Sequence, residues 1–375
     1  MGLLNPLAEF LIREHSIRPL GPDVLFIGRQ TVPLSLEALN TILAHYGLTN
    51  QAHGEVEYDH ETRAAEGKLF ITDRYFMKSL GVNTFHALDV TDYEGADIVW
   101  DLGEPIPEKY YSKYDFIYNG SCLDNMFNPG VALMNLSKLL KPKGRMVNIE
   151  CASSWNDPYI IFSPGWFYDF YVSNNYKYSD IYLISYQDND EFFYGPWEIQ
   201  FVNVPASPNG APPEVPRGIH LALLTIAEKG DSSTDTVQPV QAQYRATKEL
   251  KDEFRRSETS LQATRRQLLN GHTIDPASAP YLVDVGRFGL GLDRPEPERQ
   301  LGGVGSFRLA ELLCSLAKVL APLAKLLPAT SNLVRRIDQA GIDMWNRAES
   351  NLVRRIDQAG IDMWNRAKKR KSSNQ

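Results

Sequence analysis

The sequence has few cysteines, and none of them is placed to build a metal site or a disulfide framework. Cys122, Cys151 and Cys314 are far apart and form no CxxC pair. This spacing argues against a structural zinc site and favours a reducing compartment such as the cytoplasm. No metal is therefore expected in the functional site.

Long apolar runs are also lacking, because charge or proline interrupts each one before bilayer length. The sequence contains no GxxxxGK[ST] loop, which argues against P-loop phosphoryl transfer. Its first residues have neither the basic start nor the small-residue cleavage site of a signal peptide. These features predict a globular protein, and a composition that is 43% hydrophobic and 23% charged supplies a core.

The charge is unevenly distributed. The net charge is −7, and residues 331–375 hold ten Lys or Arg against five Asp or Glu, which leaves −12 on the rest. An acidic body argues against nucleic-acid binding. The basic end leaves a protein partner or an anionic membrane surface open.

Short apolar stretches alternate with helical patterns from about residue 20 to 150. This alternation predicts a doubly wound, mainly parallel α/β sheet covered by helices. Ser35 is predicted to cap a helix that stops near Gly47. Two later strands, 178–187 and 219–229, flank a segment rich in proline and glycine and are predicted to pair antiparallel.

In such a sheet, ligands bind beyond the carboxyl ends of the strands, where the strand order switches. Glycine there allows close approach of the backbone to a ligand, and carboxylates can accept from ribose hydroxyls or an adenine amino group. Each carboxylate alone could equally be a helix cap or a loop residue. The residues delivered by the first four strands are Gly28-Arg29-Gln30, Asp89, Asp101-Leu102 and Asn119-Gly120.

The run "ALDVTDYEGADIVWDLGEPIPEKYYSKYDFIYNGSCLDNMFNPGVALMNLSKLLKPKGRMVNI" resembles the core of class I S-adenosylmethionine-dependent methyltransferases. The likeness is closest to a bacterial subgroup with a "YEGAD…DL…P" segment, a "YDF" strand and a turn like "LLKPKG". It covers roughly residues 20–245. The resemblance implies a Rossmann-like sheet of seven strands, whose final hairpin contains the one antiparallel strand.

The resemblance also implies roles for the edge residues, with S-adenosyl-L-methionine as cofactor. Gly28 would lie beside its methionine part and Asp89 would bind its ribose. Asp101 and Leu102 would flank the adenine. Asn119 and Gly120 would line the floor near the methyl group.

Two positions depart from the family pattern. The glycine-rich first loop reads Gly28-Arg29-Gln30-Thr31, and its longer side chains would crowd the cofactor unless Arg29 turns to pair with the cofactor carboxylate. The subgroup's Glu-His pair after strand four is Asp124-Asn125 here, so an imidazole base is missing. Asp124 is the remaining candidate for a catalytic base, beside His86 and nearby tyrosines.

Three segments are expected along the chain. Residues 1–245 form a methyltransferase-like domain, 246–305 a charged helix and a linker rich in glycine and proline, and 306–375 an amphipathic helical tail. The 18 residues of 331–348 recur identically at 350–367, a 19-residue tandem repeat. A tandem duplication without consequence and a grip on a partner both stay open for this repeat.

The sequence therefore predicts methyl transfer to a small or medium acceptor, such as a glycan precursor or a specialised metabolite. The alternative is an inactive methyltransferase-like interaction module recruited through its C-terminal helices. No nucleic-acid partner is expected. A peripheral membrane or protein partner would bind through residues 306–371, in the cytoplasm or at the inner face of the membrane.

Overall fold

The computed structural model describes residues 2–289, apart from 63–64, 66–67, 154–157, 188–189, 207–217, 263–265, 268–272 and 276–277. The predicted tail and its tandem repeat lie outside these described residues. The interaction proposed for residues 306–371 therefore stays a prediction.

Seven α-helices occur in the described part of the chain. They are α1 Asn5–Ile17, α2 Leu36–His45, α3 Asp73–Ser79, α4 Pro129–Leu139, α5 Pro164–Ser173, α6 Asp190–Tyr194 and α7 Lys248–Gln262. The predicted cap of α2 is confirmed, because Ser35 Oγ accepts a hydrogen bond from the Ala38 backbone N–H at 3.1 Å.

The strands of the described residues belong to two sheets. Their bounds are β1 Asp23–Ile27, β2 Thr84–Asp89, β3 Ile98–Val99, β4 Tyr114–Gly120, β5 Leu140–Cys151, β6 Tyr178–Gln187, β7 Trp197–Val202, β8 Ile219–Glu228, β9 Arg266–Gln267, β10 Thr273–Ile274 and β11 Leu282–Phe288. The β9 and β10 strands pair with each other in a small sheet of their own.

The main sheet has the order β3-β2-β1-β4-β5-β8-β6-β7-β11. Its first five strands are parallel, and the order reverses between β1 and β4, as in a doubly wound sheet. The predicted doubly wound α/β class is confirmed. The predicted antiparallel pairing of 178–187 with 219–229 is confirmed, because β8 runs antiparallel between β5 and β6. The implied single antiparallel strand is wrong, because β7, which lies between β6 and β8 in the chain, also runs antiparallel to β6.

The expected count of seven strands is wrong. The main sheet has nine, because β7 pairs antiparallel with β6 and β11 pairs antiparallel with β7. The β11 strand, 282–288, comes from the stretch predicted to be a linker. Its two buried residues, Val285 and Phe288, pack into the core and account for its place at the sheet edge.

Both faces of the sheet are covered. One face carries a cluster that includes Phe26 and Phe116 together with Leu7 and Leu11 of α1. The other carries Ile117 and Met146 together with Leu133 of α4. Because successive strand residues point to opposite faces, adjacent positions such as Phe116 and Ile117 serve different layers. Burial on both faces fixes the strand register and therefore fixes which residues reach the carboxyl edge.

Candidate functional site

The site begins where β1, β2 and β4 end together. Ile27 is in register with Leu88 on one side and with Asn119 on the other. The next residue of each strand is therefore delivered to one edge. Gly28, Asp89 and Gly120 meet at the switch in strand order, the position at which open α/β sheets bind ligands.

Gly28 and Asp89 lie side by side. Gly28 has a φ of 71°, and its N–H donates to the carbonyl of Leu88 at 2.7 Å. A Cβ at Gly28 would stand 3.4 Å from Asp89 Oδ2. Asp89 is partly exposed, and its other carboxylate oxygen accepts the N–H of Thr91 at 3.2 Å. One carboxylate oxygen thus faces bare backbone at the switch point.

Asp101 and Leu102 follow the neighbouring strand. Val99 is the register partner of Asp89, and the Trp100 N–H donates to the Asp89 carbonyl at 2.8 Å. Asp101 is exposed and Leu102 is buried, as the two flanks of a planar ligand would require. Asp101 Oδ1 accepts the N–H of Gly103 at 2.7 Å, which fixes the turn after β3.

Arg29 does not point toward a cofactor carboxylate. Its guanidinium pairs with Asp73 through Nε and Nη2, at 3.0 and 2.8 Å, and with Glu61 through Nη1. Burial acts to lower the pKa of Arg29, but the carboxylates of Asp73 and Glu61 outweigh it and raise that pKa. The expectation that Arg29 turns to the cofactor is therefore corrected: its charge is already matched by protein carboxylates.

Gln30 takes up space at the same edge. Its Nε2 donates to the carbonyls of Ile27 and Gly28, at 3.0 and 3.3 Å. Its Oε1 lies 2.6 Å from where a Cβ would stand on Gly120, so a larger residue there would require Gln30 to move. The side chain is 3% exposed, and Oε1 has no hydrogen-bond partner among the described residues. An unmet buried acceptor at a ligand edge marks a place for a donor.

Asn119 and Asp124 belong to a buried network instead of the open edge. Asn119 Nδ2 donates to Glu150 Oε1 at 2.6 Å, and the Asp124 N–H donates to Glu150 Oε2 at 2.9 Å. Burial, with the nearby Asp124 charge, raises the pKa of Glu150 well above its usual value. This network fixes the turn after β4.

The geometry does not support Asp124 as a general base. Asp124 is buried, with only 1% of its surface exposed. Its carboxylate accepts from Ser121 Oγ at 2.6 Å, from the Cys151 N–H at 2.9 Å and from Asn125 Nδ2 at 2.7 Å. These bonds tie the turn after β4 to the end of β5, so the carboxylate holds the loop.

His86 is also turned away from the edge. Its Nδ1 is 3.1 Å from the hydroxyl of Tyr114, and the two rings meet edge to face. Tyr114 is the first residue of β4, at the opposite end of that strand from Gly120. His86 is therefore a packing residue of the sheet.

Two residues of the turn after β4 face the ends of β2 and β3. Burial, followed by the charges of Glu150, Asp89 and Asp124, raises the pKa of Cys122 to about 12. Met126 Cε lies 3.8 Å from the Cβ position of Gly103. The turn after β4 therefore lies close to the turn after β3 and within electrostatic reach of Asp89.

Sequence reasoning missed two residues that shape this edge, Asp73 and Glu150, and it missed the direction of the Gln30 side chain. Asp73 starts a helix 44 positions after Arg29, and no local pattern links the two. Glu150 ends a strand otherwise rich in apolar residues, and a carboxylate in that place was an available signal of a buried polar role. The side chain of Gln30 was noted, but its direction was not predictable from sequence.

The edge fits the nucleoside half of S-adenosylmethionine. Asp89 beside Gly28 offers an acceptor for ribose hydroxyls, and the exposed Asp101 with the buried Leu102 suits an adenine. The amino-acid half meets the Gln30 side chain, whose unpartnered Oε1 could accept from an ammonium group after rearrangement of the side chain.

Comparisons with known proteins were made for the whole chain. No protein-family model matches it, and no curated protein does. Solved structures do match, over 60% of this chain. The CMeT domain of the citrinin polyketide synthase has 13% identity and a TM-score of 0.31, and this chain spans about half of that domain's length, 52%.

Two further matches are bacterial. The 1,6-didemethyltoxoflavin-N1-methyltransferase of Burkholderia thailandensis has 14% identity, 77% of its chain covered and a TM-score of 0.28. A SAM-dependent methyltransferase of Aquifex aeolicus has 13% identity, 90% of its chain covered and a TM-score of 0.26. Likenesses this weak assign no activity, so the role of the edge has to follow from its own residues.

Proposed function

We propose that this protein is an S-adenosyl-L-methionine-dependent methyltransferase that binds its cofactor at the carboxyl edge of β1, β2 and β4. The observation that supports it most is the position of Asp89, whose Oδ2 lies 3.4 Å from the Cβ position of Gly28. An acceptor pair beside bare backbone, at the switch in strand order, suits a ribose.

Different residues would bind different parts of the cofactor. Asp89 would accept from both ribose hydroxyls, and Asp101 with Leu102 would hold the adenine. Gly28 and Gly120 would let the backbone approach the amino-acid half. Asn119 would support the floor of the site, because its hydrogen bond to Glu150 fixes the turn after β4. The bound cofactor would supply a methyl group already activated by its sulfonium.

Because the methyl group is already activated, the main task of the protein is to align the acceptor with it. This suits a site in which Asp124 is committed to structural hydrogen bonds. We place the acceptor among small or medium molecules, with a glycan precursor or a specialised metabolite as the class suggested by the family resemblance alone.

A second function is favoured by one specific observation. Gln30 lies between Gly28 and Gly120, where the amino-acid half of the cofactor would go. If that side chain stays in place, the fold is an inactive methyltransferase-like interaction module. The two functions differ in whether the edge accepts an intact cofactor or only a nucleoside.

Isothermal titration with S-adenosylhomocysteine tests the proposal. Wild-type protein should bind it, and Asp89→Asn should weaken binding by about 1–3 kcal/mol, or roughly 5- to 150-fold, because the amide cannot accept from both hydroxyls. The substitution keeps an oxygen for the Thr91 N–H. Asp92→Asn removes an exposed carboxylate of the same loop and is the matched control. Equal affinity in the two variants would contradict the ribose assignment.

The proposal includes a location in the cytoplasm. Within the described residues, none of the helices has the length and apolar character to span a bilayer. We assign the protein to the cytoplasm, with its segment 306–371 as the part that would bind a partner or an anionic membrane surface. Truncation at residue 330 should abolish binding to anionic liposomes while preserving the unfolding transition of the remaining chain. Liposome binding that survives truncation would contradict this role.

A further inference from the structure

Large apolar side chains stand exposed around the candidate site. The loop after β2 carries Tyr93, which is 80% exposed, the loop after β4 carries Phe127 at 94%, and the loop after β5 carries Tyr159 at 77%. Val90 and Ile161 lie exposed on the first and third of these loops. All three loops follow strands that end at the carboxyl edge, so the exposed rings lie on loops at the same end of the sheet. Exposed apolar groups gathered in one region mark a contact surface.

Two of the three loops are joined to each other. The Ile160 N–H donates to the Asp124 carbonyl at 3.2 Å, which ties the loop of Tyr159 to the turn before Phe127. Met126, the neighbour of Phe127, reaches the turn of Gly103 after β3. The loops of Phe127 and Tyr159 are therefore joined by a backbone hydrogen bond, and the loop of Phe127 contacts the turn beside the proposed nucleoside pocket.

The segment beside this end of the sheet is acidic, although Arg29 contacts it from the turn after β1 and Arg74 from α3. Residues 89–104 contain six carboxylates and no Lys or Arg. Arg74 pairs with Asp97, at 3.0 Å, so one of the six is matched by a cation. Carboxylates grouped at a cleft attract cations and repel anions. The same charge opposes an anionic membrane, to which aromatic side chains bind best with basic neighbours.

Exposed rings and grouped carboxylates both suit a ligand that is flat, apolar and positively charged. Aromatic faces also attract cations directly.

We propose that the rim formed by Tyr93, Phe127 and Tyr159 binds an aromatic amine in its cationic form, and that anionic acceptors are excluded. This inference rests on the proposed function, because it names the acceptor class of the same site. It narrows that function away from phosphorylated glycan precursors, whose negative charge the carboxylates of 89–104 would repel.

Two probes with the same ring test the inference. Tryptamine is a cation at neutral pH and indole-3-acetate is an anion. In titrations of the full chain saturated with S-adenosylhomocysteine, tryptamine should bind about tenfold tighter or more, since close charges of opposite sign are worth on the order of 1 kcal/mol or more. Equal or tighter binding of indole-3-acetate would overturn the charge preference.

Ring-removing variants test the rim itself. Phe127→Ser and Tyr159→Ser should each weaken tryptamine roughly two- to tenfold, the range for losing one aromatic contact. Tyr244→Ser removes a tyrosine that is 67% exposed outside these loops, and it should leave tryptamine binding unchanged. Unchanged binding in both rim variants would overturn the assignment. Binding to phosphatidylserine vesicles that Phe127→Ser abolishes would also overturn it, in favour of a membrane contact.

Two measurements distinguish failure of this inference from failure of the proposed function. S-adenosylhomocysteine affinity should stay within about twofold in all three serine variants, since none of these residues is assigned to the cofactor. If the wild-type protein does not bind S-adenosylhomocysteine, the proposed function fails. The preference for tryptamine can then still be measured on the ligand-free chain.

Discussion

The carboxylate of Asp89 and the backbone of Gly28 are neighbours across two parallel strands, with Oδ2 3.4 Å from the Cβ position of the glycine. Neither residue alone could form the proposed ribose site. Gly28 supplies a left-handed backbone and open space, and Asp89 supplies the acceptors. Their proximity follows from the pairing of Ile27 with Leu88 in the sheet.

Gly28→Ala should separate ligand binding from backbone strain. At a φ of 71° an alanine costs on the order of 1 kcal/mol of stability, and its methyl group would stand beside the ribose acceptor. Gly47 has the same φ of 71° in open space after α2. Urea unfolding should show similar losses for Gly28→Ala and Gly47→Ala. Titration should show weaker S-adenosylhomocysteine binding for Gly28→Ala alone, and equal affinities would contradict the site.

Gln30→Gly should increase affinity for the full cofactor. The wild-type side chain lies between Gly28 and Gly120, so its removal opens the place of the amino-acid half. We expect S-adenosylhomocysteine to bind about tenfold tighter, while adenosine binds as before; a tenfold change is about 1.4 kcal/mol. A loss of S-adenosylhomocysteine affinity would instead mean that the Gln30 amide contacts the ligand. No binding in either protein would favour the interaction module.

Asp73→Ala should act on stability through Arg29. Both side chains are buried, and removal of the Asp73 carboxylate leaves the Arg29 guanidinium with only the half-exposed Glu61 as an ion-pair partner, which costs about 3–5 kcal/mol. Glu57→Ala breaks the exposed Lys78–Glu57 pair and should cost less than about 1 kcal/mol. Urea unfolding of both variants measures this difference. If Asp73→Ala does not fold, Asp73→Asn tests the same point, and a loss under about 1 kcal/mol would contradict it.

Cys122 should react slowly, with a rate that rises steadily with pH. Its pKa is raised to about 12, chiefly by burial, so the thiolate that reacts is scarce at neutral pH. In a Cys151→Ser, Cys314→Ser background, the rate of alkylation by iodoacetamide should increase about tenfold per pH unit between pH 7 and 9.5. A plateau near pH 8 or 9 would contradict the raised pKa.

The charge of Asp89 contributes to the raised pKa of Cys122. Neutralising Asp89 therefore tests the proximity of these two residues. Loss of the nearby negative charge lowers the pKa of the Cys122 thiol and increases the thiolate fraction. Asp89→Asn should therefore accelerate alkylation at fixed pH, whereas Asp231→Asn, an exposed carboxylate in the turn after β8, should not. Equal rates would place Asp89 farther from Cys122 than the structure does.

The sequence predicted the sheet edge better than the side chains that fill it. Strand ends follow from short apolar runs, so Gly28, Asp89 and Gly120 could be placed together before any coordinates existed. The directions of the side chains could not be predicted, because they depend on contacts between distant residues. Arg29, for example, turns to Asp73, which lies 44 positions later in the chain. The structural role of Asp124 was equally hidden, because one partner of its carboxylate, the Cys151 N–H, lies at the end of β5, 27 positions away.

The added strands were missed for a different reason. The strands β7 and β11 are only 6 and 7 residues long, and β11 lacks a regular alternation of apolar and polar residues. Patterns this short are common in loops, and their pairing depends on residues far apart in the chain. The strand β11 also follows a segment rich in glycine and proline, which favoured the reading of a linker.

A crystal structure of the full chain with S-adenosylhomocysteine tests the central claim most directly. The account predicts the ribose hydroxyls within hydrogen-bond distance of the Asp89 carboxylate, the adenine between Asp101 and Leu102, and the Gln30 side chain displaced from beside Gly120. A ligand bound elsewhere, or an edge in which Gln30 keeps its place at saturating ligand with no ribose at Asp89, would contradict it.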